Sequence, residues 1–163
     1  MKATRVRAIF ATVALVATVS LARADAPPDQ YGLFNSGTVT IYDNYTKLTW
    51  QRVAPAATYS FVAAATYCQG LSLDSYTGWR VPSYKELLTL VDENPHDEYE
   101  NGALIPHAVD PNAFPQTAVE NPYWTSSVVP ASGSPNYGYA VSFGDGTGQQ
   151  QLLTQQLYVR CVH

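Results

Sequence analysis

The chain has 163 residues, with nine Lys and Arg against 13 Asp and Glu and a formal net charge of −4. That length suits one ordinary domain with a workable core and leaves little room for a second. The acidic balance disfavours nucleic acid, anionic membranes and sulfated polysaccharides as partners.

Residues 1–24 read as a secretory signal peptide. Lys2, Arg5 and Arg7 precede an uncharged apolar run from Ala8 to Ala22, and Ala22-Arg23-Ala24 offers a cleavage site of small residues. The run falls short of the ~20 residues a membrane span needs, although an uncleaved N-terminal anchor is the competing reading. No later segment is apolar enough to replace it, so the mature chain is expected to carry no membrane span. No cysteine stands near the cleavage site to accept a lipid. Removing the signal takes away four cations and no acid, leaving Lys47, Arg52, Arg80, Lys85 and Arg160 against all 13 acidic residues. The expected destination is the periplasm or the surface of a bacterium, or secretion from it.

Residues 25–36 read as a loose leader and 37–163 as the folded domain. Thr38 to Tyr42 alternates as a strand, Asp43-Asn44-Tyr45-Thr46 makes a turn, and Lys47 to Arg52 returns as a second strand. Phe61, Ala64, Ala65, Cys68 and Leu71 then recur at helical spacing, with Ser60 as N-cap and Gly70 near the end. In Gly78-Trp79-Arg80-Val81-Pro82-Ser83-Tyr84-Lys85-Glu86-Leu87, Pro82 fixes its own φ and pushes Val81 toward extended backbone. Ser83 caps a second helix from Tyr84 to about Asp92.

Glu93 to Pro122 loses periodicity and reads as a long irregular region. Loops of such length are commonly functional or disordered. Tyr137 to Phe143 alternates again, Gly144 to Gly148 turns, Gln150 to Leu153 runs back, and Leu157 to Val162 closes the chain as another strand.

Two cysteines, Cys68 and Cys161, are present. In an exported protein the default is that they pair, joining the first helix to the chain's end. The competing reading, a reactive or metal-binding thiol, has no ligand-like spacing behind it.

The segments Asp43 to Gln51, Gly78 to Leu87, Val109 to Thr117, Tyr123 to Ser127, Tyr139 to Gly146 and Tyr158 to Val162 resemble the DUF1566 family, also called the Lcl C-terminal domain. The resemblance spans nearly all the mature chain. It implies an α+β, C-type lectin-like domain with two helices, a small antiparallel sheet and a long irregular loop region, related to the domain of formylglycine-generating enzyme. It also implies bacterial export and adhesin-like attachment to host glycans, and it brings no established catalytic mechanism. Val81 stands where the family usually has Leu, and Lys47-Leu48 where Gly-Leu is common.

Trp50, Trp79, Arg80, Pro82, Glu86 and Arg160 are read as structural. The rings suit core packing and the guanidiniums suit hydrogen bonds in turns, with Glu86 facing Arg80 or Arg160. Tyr123, Trp124, Tyr137 and Tyr139 are candidates for stacking on a sugar or peptide, with Asp145 as a polar contact. For Trp124 a core role is the equal alternative. Asp92, Glu93, Asp97 and Glu98 carry hard oxygens suited to calcium, the one cofactor left open, although a solvated acidic loop explains them as well.

No nucleophile, zinc or phosphate-loop motif is present. The expected function is a non-catalytic recognition module binding glycan or a surface protein. A structural subunit of a cell-surface assembly is the alternative, and a formylglycine-generating-enzyme-like oxidase the third reading.

Overall fold

The computed structural model describes residues 26–32, 38–93, 95–100, 102–130 and 136–163. The signal-peptide reading of residues 1–24 lies outside them. The chain runs β1 (Thr40–Tyr42), β2 (Thr49–Gln51), α1 (Phe61–Gln69), α2 (Tyr84–Leu88), β3 (His96–Glu100), β4 (Ala103–His107), β5 (Tyr123–Val128), β6 (Tyr137–Val141) and β7 (Gly148–Leu152). These form a mixed α+β fold with two antiparallel pairs, β1-β2 and β3-β4, and an antiparallel three-stranded sheet ordered β5-β6-β7.

Both helices start where their caps dictate. The Ser60 hydroxyl accepts the N–H of Ala63 at the head of α1, and α2 opens on a full capping box between Ser83 and Glu86. The second helix is shorter than the apolar spacing suggests, ending at Leu88. Leu90 and Val91 continue as turns whose amides bond back to the carbonyls of Leu87 and Leu88.

The terminal segment is the main departure from the sequence expectation. Leu157 to Val162 is extended but joins no sheet as a named strand. It makes single bridges to four places: Leu157 to Tyr59, Tyr158 to Tyr123 in parallel, and Val162 to both Trp50 and Arg80. The third strand of the terminal sheet is β5 instead. The last residues therefore thread between β2 and the turn before α2, and Cys161 meets Cys68 of α1 in a disulfide.

Two further expectations change. Part of the irregular region is a hairpin, with β3 and β4 in register from His96 opposite His107 to Glu100 opposite Ala103. Its charged residues masked the alternation. Residues 26–32 are not loose: Tyr31 bridges Asp43 and sets its ring edge-on to Phe114 at 5.1 Å.

The core has two neighbouring parts. One gathers Trp50, Leu87, Phe114, Tyr123 and Phe143, and the other Cys68, Trp79, Trp124, Val159 and Cys161. Arg160 is fully buried beside them. One terminal guanidinium nitrogen donates to the carbonyls of Gln51 and Arg52, the other terminal nitrogen to the Thr117 hydroxyl at 2.7 Å, and the guanidinium carbon lies 4.6 Å from the Phe114 ring centre. These bonds compensate part of the cost of burying a charge, while desolvation lowers its pKa.

Candidate ligand-binding face

One candidate surface site grows out of the turn before α2. Gly78 takes φ +81°, a left-handed conformation that a glycine adopts without strain. Trp79 is then buried, with its indole N–H donating to the Tyr76 carbonyl. Arg80 pairs both backbone groups with Val162, and the Pro82 carbonyl accepts the N–H of Ser126. The helix start is thus fixed against the C-terminal strip on one side and β5 on the other.

Glu86 locks the same start. Its carboxylate accepts from both terminal nitrogens of Arg80, at 2.8 and 2.6 Å, and from the N–H of Ser83 at 2.7 Å. The Arg80 hydrogen bonds, aided by Ser83, lower its pKa to about 2. Arg80 is the partner, and Arg160 is not.

The first residue inside α2 is Tyr84. Its N–H donates to the Ser127 hydroxyl at 3.0 Å. Its ring lies against Tyr139, centres 5.1 Å apart and planes at 38°, and a Cβ at Gly148 would collide with its hydroxyl. The glycine therefore makes room for this tyrosine. Ser83, Tyr84, Lys85, Ser127 and Tyr139 line a shallow groove of about 400 Å³.

Tyr137 and Tyr139 alternate with Gly138 and Ala140 along β6, so both rings occupy the same face. Opposite them on β7 stand Leu152 and Gln150. Tyr137 is 46% exposed and Leu152 42%. The other face packs inward, where a Cβ at Gly138 would lie 3.1 Å from the Phe61 ring.

The sequence candidates thus divide. Tyr137 and Tyr139 lie on the open face. Tyr123 and Trp124 do not, because both are fully buried. Trp124 donates its indole N–H to the Tyr59 carbonyl at 2.8 Å and meets Phe61 edge-on, leaving no ring face for a ligand. Tyr123 packs between Phe143 and Tyr158. Asp145 is exposed in the β6-β7 turn, where its carboxylate accepts from the Thr147 hydroxyl and N–H. Hydrogen bonds from Ser142 and Thr147 hold its pKa below the usual value.

Tyr84 is the member of this face that sequence reasoning missed. Its place directly after a cap, in a turn pinned by Pro82, was the available signal.

The acidic candidates lie elsewhere and apart. Asp92 and Glu93 line a second cavity of about 380 Å³ with Tyr31 and Asp110, whereas Asp97 is exposed on β3. Burial first, then the nearby Asp43 carboxylate, raises the pKa of the Tyr31 hydroxyl. The side chain of Glu98 lies outside the described residues. Among the described residues, no three His, Cys, Asp or Glu side chains are grouped to hold a metal ion.

No helix among the described residues is long and apolar enough to cross a membrane. No curated protein matches the chain. The family model described as the Lcl C-terminal domain matches residues 39–163, a span that holds the two-part core, the disulfide and the tyrosine-lined face. The chain therefore belongs to the Lcl C-terminal domain family.

Proposed function

We propose that this chain is an exported, non-catalytic recognition domain that binds a neutral glycan across Tyr84 and Tyr139, in the manner of an adhesin. One observation carries the reading: a half-buried tyrosine pair lines a surface groove, with Lys85 at its rim, beside a sheet that carries almost no charge. From Asn121 to Val159 the sole Asp, Glu, Lys or Arg is Asp145, so the sheet offers ring faces, hydroxyls and the Gln150 amide. Tyrosines supply large contact area at little rotamer cost, and hydroxyl and amide groups supply the hydrogen bonds a sugar needs.

The fold we assign is C-type lectin-like and related to the formylglycine-generating enzyme domain. Two helices, small antiparallel sheets and a disulfide-tied C-terminal strip support it. The signal-like N-terminus and the disulfide support the export reading. An oxidase of the related kind needs reactive thiols, whereas Cys68 and Cys161 are buried and bridged. The acid excess disfavours sulfated glycans and nucleic acid.

The test is a glycan array carrying neutral and sulfated sugars, probed with oxidised protein in calcium and in chelator. Saturable binding confined to neutral sugars is expected. Binding confined to sulfated sugars, or none, overturns the reading. The second reading, a subunit of a cell-surface assembly, is favoured by the open edge of β7.

A further inference from the structure

We infer that β7 is a self-pairing edge, through which two copies of this chain join their three-stranded sheets into one of six strands. The two edges of the sheet are treated differently. Along β5 the outer side is closed: Trp124 donates to the Tyr158 carbonyl, Tyr158 to the Pro122 carbonyl, and Ser126 to that of Pro82. Along β7 it is open among the described residues.

The ladder shows which groups point outward. Leu153 donates to the Asn136 carbonyl and Ser142 to that of Thr147. These bonds bracket the register in which Tyr137 faces Leu152 and Val141 faces Gly148. In an antiparallel pair, bonded and non-bonded positions alternate. Gln149 and Gln151 therefore bond to β6, while Gly148, Gln150 and Leu152 turn their N–H and C=O groups away from it. Among the described residues, the Leu152 carbonyl accepts from Gln155, and no bond is made by the other outward backbone groups. All three residues are exposed.

Proteins usually guard such an edge with lysine, proline, a bulge or a covering segment. The strand is Gly-Gln-Gln-Gln-Leu, with no charge and no proline.

The chemistry favours a second copy as occupant. About a two-fold axis at Gln150, the outward set is self-complementary: Gln150 meets its own counterpart, and Gly148 meets Leu152 in both directions. Each leucine then lies opposite Gly148, where it meets the Tyr84 ring that fills the space of the missing side chain. Like charges, which oppose self-association of so acidic a protein, are absent from this strand. Pairing aligns the two Tyr84–Tyr139 grooves on one continuous face.

Sedimentation velocity of the oxidised, exported protein from micromolar to millimolar concentration tests the inference. A monomer–dimer equilibrium is expected. Gln150→Pro removes an outward N–H without touching the ladder to β6, and should weaken dimerisation by about tenfold or more. Gln150→Lys keeps the N–H and the fold, sets two cations opposite each other at the axis, and should weaken it similarly. Circular dichroism checks that each variant is folded, and either folded variant suffices. A protein that stays monomeric throughout, or a dimer indifferent to a folded variant, overturns the proposal.

Discussion

Glu86 uses one carboxylate to hold Arg80 and to close its own helix cap. Two guanidinium bonds and the N–H of Ser83 meet on it, so the turn that positions Tyr84 depends on that carboxylate being ionised. The bidentate geometry makes the pair more specific than an ordinary surface ion pair.

A pH dependence follows. The folded pKa of Glu86, about 2, lies below its ordinary value of 4.5. Its contribution is therefore fully present above about pH 4.5 and is lost as pH falls toward 2. Arg80 is half exposed, so solvent screening limits the effect to about 1 kcal/mol. Thermal melts across this window should show a smaller acid-side loss in Glu86→Gln than in the native protein, with Glu86→Gln already less stable at neutral pH.

Reducing the disulfide should be costly. Cys68 and Cys161 are 93 residues apart, and closing so long a loop stabilises the fold by about 4 to 5 kcal/mol in the chain-entropy treatment. Urea unfolding with and without reductant measures the difference. A change under about 1 kcal/mol would show that the C-terminal strip holds itself in place.

Trp124→Ala should act on stability. The residue is fully buried and its N–H donates to the Tyr59 carbonyl, so truncation leaves a large cavity and removes one of the two hydrogen bonds to that carbonyl, the other coming from Leu157. The expected loss is about 3 to 5 kcal/mol. A folded variant of native stability that loses only ligand binding would return Trp124 to the surface.

Gly148→Ala tests the construction of the groove. The added methyl meets the Tyr84 hydroxyl and must push that ring away from Tyr139. Glycan binding should fall with little change in melting temperature, because position 148 is exposed in an edge strand. Unchanged binding would remove Tyr84 from the site.

Much of this architecture is legible in the sequence where local chemistry is decisive. Ser60 and Ser83 announce helix starts because their hydroxyls satisfy orphan amides, and the two cysteines announce their bridge. The β3-β4 hairpin is not legible, since His96 to Glu100 lacks the apolar alternation of a half-buried strand. Leu157 to Val162 reads as extended, but whether it enters a sheet or bridges four segments depends on long-range pairing. The same limit applies to the site. Tyr123, Trp124, Tyr137 and Tyr139 are alike as residue types, and only the fold sends the first two inward. Tyr84 joins Tyr139 across 55 positions of chain, a contact with no local signature.

The most direct measurement is neutral-glycan binding by the native protein beside Tyr84→Ala and Tyr139→Ala, each first checked for an intact disulfide and a native-like melt. Saturable native binding is expected, lost or weakened by about tenfold or more in both variants, the loss that follows when a buried stacking ring is removed from an interface. Native-strength binding by both folded variants, or no neutral-glycan binding by the native protein, would contradict the glycan reading.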